Sequence, residues 1–177
     1  MTKEEVVDAI LSGDVVIISS EPDANRIFNK GCYGSIIDGK LHLSLVEALY
    51  LMEKKDINIL NKKKKVVSFD DFVTFASKSD VRFLSRYFIY ADIRKRGYIT
   101  KTALKYGADF RVYERGTHPG KEHAKWILFA VTETEHFDWR KFAAMMRVAH
   151  SVKKRILLGI LDDEGDVTYY EVKWKRP

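Results

Sequence analysis

With 177 residues, 46% of them apolar, the chain can bury one large core or two small ones and is excluded from the disordered class. One cysteine, Cys32, excludes an internal disulfide and a cysteine-rich zinc site, and no apolar run reaches the roughly 18 residues of a membrane span. The formal charge of +6 is one-sided: 11 Lys+Arg face 13 Asp+Glu in residues 1–80, against 20 and 12 in residues 81–177, an imbalance that attracts polyanions such as nucleic acid.

The opening MTKEEVVDAI is acidic and lacks the basic-then-apolar layout of a secretory leader, so a reduced, cytoplasmic setting is expected. A short element ends at Gly13 and the β-branched run DVVIISS follows as a strand. Asp38-Gly39 between alternating segments predicts a hairpin. Ser44 opens a helix with Glu47 as its capping-box partner, and Leu45, Val46, Ala48, Leu49 and Met52 line one side of it. A lysine run at 62–65, expected to be a solvated turn and with an RNA contact as the alternative, leads into a short strand and a second helix capped by Ser68. A longer helix starts at Asp80 and closes at Gly97.

The strand GYIT, a helix over KTALKYG, the strands ADFRVYER and AKWILFAVTE, the helix WRKFAAMMRVAHSV and a final hairpin turning at Gly165 complete the chain. The reading is two domains, residues 1–82 and 83–177. Both are α/β (α+β), the second with a central mixed sheet flanked by helices.

Alternation along ADFRVYER puts Phe110 and Val112 on one face and Arg111, Tyr113 and Arg115 on the other, so Tyr113 is expected on a cationic face. A phenol ordinarily titrates far above neutrality, so a tyrosine base needs cations to hold its ionised form. His123 follows a Gly/Pro loop at the rim of the sheet, where a neutral-pH proton donor or acceptor is useful. Lys153, Lys154 and Arg155 stand at the mouth of an apolar strand and can aim charge at a phosphate without being buried. Arg147, one helical stretch earlier, is a second cation for a nucleotide. Tyrosine, histidine and lysine together suit attack by a ribose 2′-hydroxyl on its own phosphodiester. One group takes the proton, one gives a proton to the leaving 5′-oxygen, and one steadies the phosphorane, without a metal or other cofactor.

The segments "YADIRKRGYITKTALKYGADFRVYERG", "HAKWILFAV" and "RVAHSVKKRILLGIL" resemble the catalytic half of archaeal-type tRNA-splicing endonucleases, the short-chain, homotetrameric class. The resemblance implies a restriction-endonuclease-like second domain behind a small mixed α/β one. It also implies cleavage of precursor tRNA at the bulge–helix–bulge of intron borders, leaving 2′,3′-cyclic phosphate and 5′-hydroxyl ends. By position Tyr113 matches the general base, His123 the general acid and Lys154, with Lys153 beside it, the transition-state cation. Arg147 matches an arginine that grips a bulge nucleotide. A second gripping cation is expected among Lys173, Lys175 and Arg176, crowded around Trp174. The acidic tip Asp162, Asp163, Glu164 and Asp166 is implied to enter a basic pocket on a neighbouring copy. Two rivals are a non-catalytic RNA-binding subunit and a metal-dependent nuclease using Glu171 and Lys173 after Asp166.

Overall fold

The computed structural model describes residues 5–103 and 107–175. They form two compact units, Met1–Tyr87 and Phe88–Pro177, each with its own five-stranded mixed sheet. Among the described residues no helix is long and apolar enough to cross a membrane.

The first unit runs β1 (Val7–Ser12), β2 (Val15–Ile18), α1 (Glu21–Gly31), β3 (Ser35–Ile37), β4 (Lys40–Ser44), α2 (Leu45–Glu53), β5 (Ile57–Leu60) and α3 (Phe69–Ser79). Its sheet is ordered β3-β4-β2-β1-β5, with β1 and β5 parallel and the other pairs antiparallel. Period-two alternation buries Val7, Ala9, Val16, Ile18, Leu41, Leu43, Ile57 and Ile59 on one face, against the helices. The Asp38-Gly39 hairpin turns with both residues at positive φ, 49° and 74°, as its sequence predicts. Ser44 and Glu47 close the predicted capping box. Glu47 is buried and does more: its carboxylate also accepts the amide of Gly34 at 2.9 Å, tying the chain before β3 to α2.

Two elements of this unit escaped the sequence reading. Helix α1 begins after Ser20 with Pro22 in its first turn beside Glu21 and Asp23, and ends at Cys32 in the left-handed region. Strand β5 is the run INIL, whereas the short strand expected after the lysine run is reduced to a single bridge between Leu60 and Val66.

The second unit follows α4 (Phe83–Lys95), the helix within which the units divide. Gly97, at φ 86°, closes that helix, its amide donating to the Arg94 carbonyl at 2.9 Å. The strands are β6 (Ile99–Thr102), β7 (Phe110–Tyr113), β8 (Trp126–Thr132), β9 (Arg155–Leu161) and β10 (Val167–Val172), with α5 (Trp139–Ser151) joining β8 to β9. Their order is β10-β9-β8-β7-β6, and only β8 and β9 are parallel. The helix expected over KTALKYG falls on residues 104–106, outside the described residues, while Lys101 and Thr102 belong to β6 instead. Helix α5 packs Met145 and Ala149 onto Ile127, Phe129 and Ile156. On the other face Gly159 lets α4 approach, for a Cβ there would meet the Ile89 side chain at 2.9 Å.

Gly34 sits at φ 59°, and a Cβ would meet the His42 carbonyl oxygen at 2.4 Å. Gly34→Ala is expected to destabilise the chain by about 3 kcal/mol in chemical denaturation, since backbone has to move. Gly165→Ala, with nothing near its Cβ, is expected to cost only about 1 kcal/mol from its positive φ.

Candidate active site

The site grows out of the register of three strands at one end of the second sheet. Val112 on β7 opposes Trp126 on β8, and Trp126 opposes Arg155 on β9. The next row is held by two backbone hydrogen bonds: the Lys125 amide donates to the Val112 carbonyl at 3.0 Å, and the Arg155 amide to the Lys125 carbonyl at 3.1 Å. Carried one place further, this register sets Tyr113, Lys125 and Lys154 side by side across the sheet. Strands lie about 4.8 Å apart, so the backbones of Tyr113 and Lys154 are separated by about 10 Å. Opposed residues share a face, here that of α5, because Ile127 and Ile156, two residues along on β8 and β9 and so on the same face, belong to its core. His123 is exposed and precedes Lys125 by two residues. The loop that delivers it folds on the His118 carbonyl, which accepts the amides of Lys121 and Glu122 at 3.2 and 3.1 Å.

The expected cationic face of β7 needs correction. On β8 and β9 that face carries the core packed by α5, and on β7 Tyr113 is only 5% exposed. Arg115 does not flank it, because the strand ends at Tyr113 and alternation stops there. The Arg115 guanidinium instead stacks over the Tyr98 ring at 4.8 Å, in a cavity of about 200 Å³ that Trp126 and Tyr169 also line. The cations beside Tyr113 in its own row are Lys125 and Lys154. Lys125 escaped notice in the sequence, although it lies two residues after His123. Its ammonium pairs with Glu114 and sits 4.7 Å from the Trp126 ring centre.

The end of α5 separates Lys153 from Lys154. Lys153 is in the left-handed region at φ 53°; its amide bonds the His150 carbonyl at 3.0 Å and that of Lys154 bonds Ala149 at 2.9 Å. This double closure swings the chain from helix to strand and leaves Lys153 exposed and Lys154 half-buried. Both line a cleft of about 620 Å³ with His150, Arg155, Lys173 and Trp174. A second cleft of about 480 Å³ shares His150, Met146 and Trp174 with it and adds Phe142, Ala143 and Arg147. Arg147, Trp174 and Lys173 are thus brought to the same side as Lys154. Lys175 is exposed and lines neither cleft, and Arg176 lies outside the described residues. His150, left without a partner in the sequence, packs against the Trp174 ring at 5.1 Å.

The acidic turn is built on Asp162, whose carboxylate accepts the amides of Glu164 and Asp166 at 3.0 and 2.8 Å. Asp163, Glu164 and Asp166 are left exposed at the tip. Glu171 is far from a free metal ligand. Its carboxylate accepts the Trp126 indole N–H at 2.6 Å, the Arg155 guanidinium at 3.2 Å and the Lys173 ammonium at 3.0 Å. Those donors, the indole foremost, hold the carboxyl down at about 2. The single carboxylate offsets one of the two charges of Arg155 and Lys173, so Lys153 and Lys154, with no ion pair among the described residues, supply the larger part of the positive charge of the larger cleft.

Residues 83–169 match the tRNA intron endonuclease catalytic C-terminal domain, and residues 7–73 the N-terminal domain of the same family. The chain is 39% identical to a tRNA-splicing endonuclease of Thermococcus onnurineus, over 98% of this chain and 99% of the relative. It is 40% identical to one of Methanothermobacter thermautotrophicus over 97% and 99%, and 43% identical to one of Nanoarchaeum equitans over 80% and 94%. With both domains matched in order, this chain belongs to the tRNA intron endonuclease family, and the unit that carries the clefts is its catalytic domain.

Because the Glu171 carboxyl is lowered from 4.5 to about 2 on folding, the stability it lends is complete above 4.5 and lost as pH falls toward 2. Glu171→Gln is expected to flatten that part of the acid unfolding curve, measured by circular dichroism, while leaving the curve above pH 6 parallel to that of the parent.

Proposed function

We propose that the chain excises introns from precursor tRNA by cutting at bulge–helix–bulge splice sites. The ribose 2′-oxygen attacks the adjacent phosphorus in line, and the bond from phosphorus to the 5′-oxygen breaks. Tyr113 takes the 2′-hydroxyl proton, His123 gives a proton to the departing 5′-oxygen, and Lys154 stabilises the charge that builds on the phosphorane. The products are a 2′,3′-cyclic phosphate and a 5′-hydroxyl. The sugar supplies the nucleophile, so no metal-bound water is required.

The observation that supports this reading is the row Tyr113–Lys125–Lys154 at the end of the sheet, with the exposed His123 two residues before Lys125 and Lys154 lining a basic, aromatic cleft. The smaller cleft suits an unstacked base: the Trp174 ring offers a stacking surface and the Arg147 guanidinium either stacks or reaches a phosphate. Lys173 and Lys175 are further cations for the same strand of RNA. The exposed carboxylates at the 162–166 turn suit a basic pocket on a neighbouring copy, within a homotetramer holding two working sites for two bulges. The names of the relatives, tRNA-splicing endonucleases, support the substrate class.

The pure protein, incubated in EDTA with a bulge–helix–bulge precursor, is expected to yield fragments ending in 2′,3′-cyclic phosphate. Fragments ending in 3′-hydroxyl, or no cleavage until a divalent metal is restored, refute the mechanism. His123→Ala is expected to lower the single-turnover rate by about 10²–10⁴-fold, with RNA affinity within about twofold of the parent. A rate that falls only as binding falls removes His123 from the proton-donor role.

A further inference from the structure

The cleavage chemistry makes no use of the lysine run in the first unit. Residues 61–65 form a tight turn whose closure depends on Asn61. The Asn61 side-chain oxygen accepts the amides of Lys63 and Lys65 at 2.8 and 3.1 Å, and its backbone exchanges hydrogen bonds of 2.9 Å with Lys65 and Lys64. Lys64 is held in the left-handed region at φ 58°, where glycine or asparagine is at ease and lysine costs about 1 kcal/mol. The four lysine side chains contribute nothing to this closure. All four residues are exposed, and none has an ion pair among the described residues.

Elsewhere in the unit, several cations have partners, while Lys40, Lys55 and Lys78 stand singly among the described residues. Arg26 pairs with Asp23, Lys30 with Asp56 and Arg86 with Asp80, while Lys54 lies over the Tyr50 ring. The four unpaired lysines also stand out against their background. Without them, residues 1–80 carry 7 Lys+Arg against 13 Asp+Glu. Four adjacent ammonium groups on a fixed turn repel one another. The arrangement therefore costs backbone strain and self-repulsion and returns nothing to the fold.

We infer that the turn at residues 61–65 is a second RNA contact, one that takes backbone phosphates of the precursor tRNA regardless of base sequence. The inference rests on the reading of the chain as an RNA-cutting enzyme. Lysine is a point charge with rotatable donors and no fork, suited to phosphates and indifferent to base edges. A convex tip with several such charges fits a large polyanion with phosphates repeated along its length. It fits poorly the other acidic candidate, the 162–166 turn of a second copy, because two convex tips bury little area against each other.

The test compares the parent with K62Q/K63Q/K64G/K65Q, which keeps Asn61 and places glycine where φ is positive. The probe is an intron-containing precursor tRNA, titrated by fluorescence anisotropy over a series of KCl concentrations. The variant is expected to bind roughly tenfold more weakly at low salt, and its slope of log affinity against log salt to be shallower by about 2. Its single-turnover cleavage of saturated RNA and its unfolding midpoint are expected to match the parent. The control K40Q/K55G/K78Q, which removes three charges from the same unit, is expected to keep the parent slope within about 0.5. A four-lysine variant with the parent slope, or a control that loses as much, overturns the contact. So does a change of mass by light scattering in the four-lysine variant alone, which assigns the turn to another copy of the chain. If the parent cuts the RNA while the variant slope is unchanged, only this contact fails; if the parent does not bind the RNA, the cleavage reading fails with it.

Discussion

Two parallel neighbours cannot be joined by a hairpin, so the chain that leaves β8 at one end of the sheet has to travel back before it can enter β9. Helix α5 makes that journey. Its 13 residues span about 20 Å, close to the length of the strands it runs beside. The closure at Lys153 then decides which residue meets the sheet first. With Arg155 locked opposite Trp126, Lys154 falls in the row of Lys125 and Tyr113. A slip of one residue would turn every side chain of β9 to the opposite face and remove Lys154 from that row. The apolar core under α5 guards against such a slip, because it would expose Ile156 and bury Arg155.

Charge is apportioned around this frame with some economy. Arg155 and Lys173 flank the larger cleft and share the one carboxylate of Glu171, which also anchors the Trp126 indole and so stitches β10, β9 and β8 together. Lys125 is likewise engaged by Glu114. Lys153 and Lys154 keep their full charge toward the cleft. On the opposite face of the sheet Tyr169 donates to Asp92 at 2.9 Å, and burial against that carboxylate pushes its phenol well above the ordinary range. Two tyrosines of one sheet thus stand in different settings, Tyr169 beside a carboxylate and Tyr113 beside lysines.

Local chemistry was legible wherever a few adjacent residues decide the outcome. The capping box of Ser44 and Glu47, the Asp38-Gly39 turn, the Gly97 stop and the Gly165 turn could all be read because each is a short-range demand on backbone geometry. Helix α1 was missed although Ser20, Pro22 and the acidic first turn announce it; its apolar face is thin, with only Ala24 and Ile27 buried. The setting of Tyr113 was half legible. Alternation puts Arg111 on the face of Tyr113, but no pattern within one strand can tell that Tyr113 is buried, or that Arg115 escapes past the strand end. Lys125 was overlooked, and His150 left without a partner, for the same reason. Their importance comes from strand register and from Trp174, both of which are long-range facts.

The same parallel pairing has a consequence for how the enzyme comes into being. The β9–β10 hairpin and the β6–β7 pair are closed by short stretches of chain, whereas β8 and β9 meet only after the whole α5 excursion has been ordered. Contacts that enclose the longest loop tend to consolidate late. A nascent or partly unfolded chain can therefore hold most of its hairpins and still lack the row that aligns Tyr113, Lys125 and Lys154. Assembly of that row is thereby tied to completion of the whole second sheet, the last and most demanding closure of the domain.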